Sequence, residues 1–194
     1  NQTAEDIYNR AGIYAEFGKI ICISVGYLVL KGNQRFFRIK SFAGDNEHKI
    51  LKEFNALLME SYNSEDHYLC AHNGKEFDFP YIGRRMLVNN IKPASILHLQ
   101  GKKPWEVKHL DTMQLWKFGD FKSYTSLELL AAAMNIPTPK DDLDGSMIFE
   151  VYYEEKDLER IVRYCNKDVV TLASVYLRMK NQPALSPGEI SLAQ

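Results

Sequence analysis

Two stretches of this chain put acidic and phenolic side chains where they could act on one substrate. The first is His72-Asn73-Gly74-Lys75-Glu76-Phe77-Asp78-Phe79-Pro80. A short apolar run ends, the chain turns at a glycine, and an aspartate falls just before a helix with proline in its first turn. α/β folds place their chemistry at the carboxyl ends of strands, and a helix N-terminus favours an ionised carboxylate. Asp78 therefore reads either as a reactive carboxylate or as a plain helix cap. The second stretch is Tyr164-Cys165-Asn166-Lys167-Asp168. Positions four apart differ by roughly 40° around a helix, so Tyr164 and Asp168 project from one side, a turn apart. They border the apolar stripe of Leu158, Ile161, Cys165, Val169, Leu172 and Tyr176. A border position can face a cleft while its helix stays packed. By itself, the pair is equally a solvated aspartate beside a half-buried tyrosine.

The elements that must carry these residues follow from periodicity. Residues 1–12 are polar and fit a helical turn ending near Gly12. Lys19 to Leu30 is rich in Ile, Val and Tyr and reads as a strand. Lys31-Gly32-Asn33 is a turn, with Gln34 to Ser41 as the hairpin partner. Ile50, Leu51, Phe54, Leu57 and Leu58 make the stripe of an amphipathic helix over 47–62. Tyr68 to His72 reads as a short strand, Pro80 to Asn89 as a helix, and Val107 to Asp111 as a strand. Thr125 with Glu128 has the spacing of a capping box for a helix running to Asn135. Asp157 to Lys180 is a long amphipathic helix. After Gln182, Pro183, Pro187 and Gly188 mark a flexible tail over 182–194, leaving 1–181 as one domain. The order of elements predicts an α/β sheet with helices packed on it.

Composition narrows the setting. With 194 residues, 45% apolar and 25% charged, the chain can bury a real core. The formal net charge of −1 supplies no global basic field, so any nucleic-acid contact must be local. Cys22, Cys70 and Cys165 are widely spaced. They make no zinc pattern, and an odd number argues against a disulfide framework, which predicts a reducing, cytoplasmic location. The apolar run Ile20 to Leu30 is too short to span a bilayer.

Taken together, the two stretches are more specific than either alone. Asn-x-x-x-Phe-Asp-x-Pro, followed about ninety residues later by Tyr-x-x-x-Asp, resembles the second and third motifs of the DEDDy-type 3′–5′ exonucleases. The likeness is greatest to bacterial predicted exonucleases related to the proofreading domain of family-B DNA polymerases. It extends through Ala11 to Lys19, His109-Leu110-Asp111-Thr112, Phe118-Gly119-Asp120 and Lys140 to Ser146. The resemblance implies a ribonuclease H-like fold, with a mixed sheet flanked by helices. It also implies two divalent cations, Mg²⁺ or Mn²⁺, which activate a water and stabilise the leaving oxygen of a phosphodiester. Asp78 and Asp168 would be metal ligands and Tyr164 would orient the attacking water. Asn73 would reach the terminal nucleotide, and Phe77 would stack on the last base unless it packs in the core. Lys140, with Lys75, Arg84 and Arg85, would meet phosphates unless these are solvated surface charges. The implied partner is nucleic acid, single-stranded DNA ahead of RNA, with no membrane; a protein partner is not specified.

The chain departs from the family at the first motif. That motif is Asp-x-Glu on a strand ahead of the Lys19 strand. Glu5-Asp6 has the wrong spacing, and Tyr14-Ala15-Glu16 puts tyrosine where aspartate belongs. Two of four carboxylates are thus unassigned. The expectation is that they lie upstream of these residues and that the 194 residues alone are inactive. Two other readings stay open: a nucleic-acid-binding module without catalysis, and a purely structural interaction domain. His109 and Asp111 form no recognisable dyad, and His109 is expected to be structural. The Lys140 to Ser146 loop is rich in carboxylates but lacks calcium-loop spacing.

Overall fold

The β-branched run after Lys19 forms β1 (Cys22–Lys31), which folds back on β2 (Gln34–Ala43) in an antiparallel hairpin. Pairing runs from Cys22 with Ala43 to Lys31 with Gln34. Gly32, at φ 59, supplies the left-handed backbone that so tight a hairpin turn needs. This computed structural model describes residues 11–32, 34–138 and 143–193. The expected turn over 1–12 and the pair Glu5-Asp6 lie largely or wholly outside that range. So do Asn33 and Lys140-Asp141-Asp142.

Helix α1 (Glu47–Ser61) is capped by the Asn46 side chain, which accepts from the Lys49 amide. It buries Ile50, Leu51, Phe54 and Leu58 against Ile23, Phe42, Met86 and Leu97. Each such side chain contributes roughly 1.5–3 kcal/mol on full burial, so this cluster is the main core. Strand β3 (Cys70–Ala71) precedes helix α2 (Asp78–Val88). Strand β4 (Leu110–Asp111) lies parallel to β3 and leads into α3 (Thr112–Lys117). Helix α4 (Leu127–Ala133) follows. Its cap is Ser126, whose hydroxyl accepts from the Leu129 amide, one residue beyond the expected Thr125. Short helical turns over 145–155, a stretch to which the sequence reading assigned no element, lead into the long α5 (Leu158–Met179) with Asp157 as its cap.

The segment after Gln182, read from the sequence as a flexible tail, carries strand β5 (Ile190–Leu192), which pairs parallel to β2. Arg35 explains why. Its guanidinium binds Glu189 at 2.7 Å and donates to the carbonyls of Pro183 and Ala184. Glu189 is held down to about pKa 2, chiefly by Arg35.

The result is a mixed α/β structure with a mixed β1–β2–β5 sheet, a separate parallel β3–β4 pair and flanking helices. Within these pairings β1 bonds only to β2, and β3 only to β4. Each has an edge that no described strand pairs with.

Candidate active site

The second-motif loop is built around its backbone. Asn73 sits at φ 60, a conformation asparagine tolerates better than most residues. A Cβ on Gly74 would lie 2.3 Å from the Ala71 Cβ, so only glycine fits there. The Gly74 carbonyl accepts from the Phe79 amide and steers the chain into α2. The loop is clamped from outside by Asp111, which is 2% exposed. Its Oδ1 accepts from the amides of Asn73 (3.0 Å), Met113 (3.0 Å) and Gln114 (3.3 Å), and its Oδ2 from Lys75 (3.1 Å). One carboxylate thus caps α3 and fixes the loop that leads to Asp78. Sequence reading left this residue without a role. The signal was there, an aspartate directly before a helix.

His72 makes a second tie. Its Nε2 lies 2.8 Å from the Thr125 carbonyl, which can only accept, so Nε2 carries the proton. Its Nδ1 then accepts from the Thr112 hydroxyl at 2.9 Å. His109 is structural, as the residue pattern suggested. Its Nδ1 accepts from the Leu69 amide and its Nε2 donates to the Ile96 carbonyl. Burial keeps it below the usual histidine range.

Asp78 opens α2. It is open to solvent, yet protein crowds it from most sides. That crowding, with the like charges of Asp111 and Asp168 nearby, raises its carboxyl from 3.8 to about 6. Phe77 is exposed and tilts against Tyr81 at 5.5 Å, so it is not a core residue. Glu16 lies at the surface on the Tyr81 side of α2.

Helix α5 supplies the other half. It approaches β1 over Gly26, where a Cβ would stand 2.8 Å from Val169 Cγ1 and 2.2 Å from the Phe37 ring. Ser41 on β2 donates to Asn166 Oδ1 at 2.6 Å, and Ser24 on β1 lies 3.0 Å from Ser41. These bonds fix the rotation of α5. Tyr164 and Asp168 are both half-buried, and the Tyr164 hydroxyl donates to Asp168. Burial, then the Asp168 charge and this bond, push the phenol well above its usual range. Next to Tyr164, the Cys165 thiol bonds with Cys22 on β1, and both are free cysteines.

The fold therefore brings Asp168, with Tyr164 bonded to it, near enough to Asp78 for their charges to interact, with Asn73 and Phe77 on the loop before Asp78. Arg85 does not belong to this set. It is buried in an ion pair with Glu47 and also donates to the Ala15 carbonyl at 2.8 Å, so it is held away from the surface where a phosphate would be met. Arg84 is exposed and Lys75 half-buried. Lys140 lies outside the described residues. Asp78 and Asp168 suit a hard divalent ion, which takes oxygen ligands and would relieve the like-charge crowding at Asp78. Among the described residues no group of three or more His, Cys, Asp or Glu side chains is arranged to hold a metal ion.

Among the described residues no helix is long and apolar enough to cross a membrane. No curated protein matches the chain. Residues 13–189, nearly the whole chain and both halves of the aspartate–tyrosine site, match one family, and this chain belongs to it: the predicted 3′–5′ exonucleases related to the exonuclease domain of PolB.

Proposed function

We propose that this chain is the ribonuclease H-like domain of a metal-dependent 3′–5′ exonuclease that releases nucleotides from single-stranded nucleic acid, DNA ahead of RNA. The observation that carries this reading is that Asp168, bonded by the Tyr164 hydroxyl, lies near enough to Asp78 at the start of α2 for the two like charges to interact. Asp168 and Asp78 would hold two Mg²⁺ or Mn²⁺ ions. When bound, these ions supply an activated water and charge stabilisation at the leaving oxygen. Tyr164 has its phenol pushed up, so it keeps its proton at neutral pH and cannot act as the base. Its proton is committed to Asp168, and its oxygen lone pairs can orient a water. Asn73 and Phe77, on the loop clamped by Asp111, would meet the terminal nucleotide, Phe77 through its exposed ring. Lys140 is proposed as a phosphate contact on its sequence position alone.

The remaining carboxylates are proposed to come from an Asp-x-Glu strand paired at the open edge of β1 or β3. On this reading the 194 residues alone are inactive. A second reading, a nucleic-acid-binding module without catalysis, is favoured by the incomplete ligand set. Degradation of end-labelled single-stranded DNA and RNA in Mg²⁺ or Mn²⁺ separates the two, with the 194 residues and the whole gene product assayed side by side. Stepwise shortening from the 3′ end that Asp168→Asn abolishes supports the exonuclease. Binding without shortening in either protein supports the module.

A further inference from the structure

Between α3 and α4 the chain exposes aromatic rings at unusual density. Phe118 is 93% exposed, Phe121 89% and Tyr124 68%, and Trp116 is also at the surface. Phe118 closes α3 in the left-handed conformation, at φ 46 and ψ 35, with Gly119 following at φ 91. That position is usually glycine, because a side chain there costs backbone strain. An aromatic ring held in such a conformation and turned into water gains little burial to offset the cost. Lysines are interleaved with the rings. The Lys117 ammonium lies 4.2 Å from the Tyr124 ring centroid, and Lys122 follows Phe121. The one acid in the stretch, Asp120, accepts from the Lys122 amide. From Lys102 to Lys122 there are five lysines against Glu106, Asp120 and the buried Asp111, so this stretch is basic in a chain whose formal net charge is −1.

Both ends of the segment are fastened to the candidate site. At the start, Asp111 binds the amides of Asn73 and Lys75 while capping α3. At the end, His72 donates to the Thr125 carbonyl and accepts from Thr112. The ring-bearing segment therefore rides on the same loop that delivers Asp78.

We infer that the 116–124 segment is a stacking platform for the bases of a single-stranded nucleic acid whose 3′ end enters the Asp78–Asp168 site. The inference rests on the exonuclease reading and adds to it how the strand is gripped. Flat exposed rings interleaved with lysines match bases linked by phosphates, and stacking of this kind tolerates any base sequence. An apolar protein partner would gain little from the lysines.

The test is binding without cleavage, in EDTA, by fluorescence anisotropy. Wild type and the double variant Phe118→Ser/Phe121→Ser are titrated with an oligo-dT 20-mer and with an abasic 20-mer of equal charge. Both rings are exposed, so the variant should keep its fold, checked by circular dichroism and melting temperature. Phe118→Gly, which also relieves the strained backbone, is a second variant that cannot fail by misfolding at that position. The expected result is that wild type prefers dT over the abasic strand. Each ring removed should weaken dT binding by roughly tenfold or more, with abasic binding little changed. Equal binding of dT and abasic strands by wild type, or unchanged dT binding by both variants, overturns the platform and leaves the exonuclease reading standing. Loss of self-association in the variants, with dT binding intact, makes the patch a protein contact and also overturns it. If wild type binds no nucleic acid at all, the exonuclease reading itself fails.

Discussion

At the residue scale, the candidate site depends on two carboxylates that repel each other and a phenol that steadies one of them. Asp78 carries the measurable consequence. Its carboxyl titrates near 6 when folded, above its ordinary 3.8. Between those values the folded protein holds the proton more tightly than the unfolded chain, so stability falls as pH rises through this window and the penalty persists above it. Asp78→Asn should therefore raise the melting temperature of the metal-free protein at pH 7 and have no effect below about pH 4. A carboxyl-carbon NMR titration should place the Asp78 midpoint near 6 in EDTA, lower with Mg²⁺, and somewhat lower in Asp168→Asn. An Asp78 midpoint that ignores both the ion and Asp168 would separate the two groups. Tyr164 yields a different signature. Tyr164→Phe removes a hydroxyl that orients and keeps the ring that packs. Turnover should drop on the order of 10²-fold, the usual cost of a misplaced reacting group, with KM nearly unchanged. Wild-type turnover in this variant would leave Tyr164 as packing.

Elements explain how far the sequence could be read. Helices α1 and α5 were legible from their apolar stripes, the hairpin from its β-branched run and glycine turn, and α2 from the proline in its first turn, while the Tyr164–Asp168 spacing placed both side chains on one helix face. Features without a pattern were not. β5 is a short strand among prolines, and only the distant Arg35 makes it pair. The clamp at Asp111 depends on amides 36 and 38 residues away. Arg85 beside Arg84 looked like a phosphate ligand, and nothing local reveals that it is spent on Glu47. That pair gives the prediction at this scale. Glu47 accepts from the Ile20 amide, Asn89 and Arg85, and so joins the start of β1 to α1 and α2. Burial pushes its carboxyl up, but Arg85, the Ile20 amide and Asn89 together hold it below its usual value. Its contribution is therefore present above the ordinary glutamate range and is lost as pH falls through the lowered value. Arg85→Met strands this buried carboxylate and should cost roughly 3–5 kcal/mol in urea unfolding. A loss below about 1 kcal/mol would mean the pair behaves as a surface salt bridge.

At the scale of the whole molecule, the feature to explain is a sheet in two pieces. β1 and β3 each present an edge unpaired by any described strand, and Asp78 stays open to solvent. Edge strands invite pairing because each free amide and carbonyl is a ready partner. A strand that docked on such an edge and buried it would satisfy groups that otherwise cost roughly 1–3 kcal/mol each when dry. That is a large fraction of a typical domain stability of about 5–15 kcal/mol. Such a strand would also present side chains of alternate residues on one face, which is the spacing of Asp-x-Glu. The prediction has two readouts. In the 194 residues alone, the β1 amides that point away from β2 should exchange with solvent far faster than those bonded to it, and no nuclease turnover should be seen. In the whole gene product, if it supplies the strand, those outward amides should slow, the melting temperature should rise, and Mg²⁺- or Mn²⁺-dependent turnover should appear. The outcome that defeats this account is turnover by the 194 residues at the rate of the whole product, with the outward β1 amides equally protected in both. The missing carboxylates would then have to come from residues already in this sequence, and Glu16, on the Tyr81 side of α2, is the first to replace by glutamine.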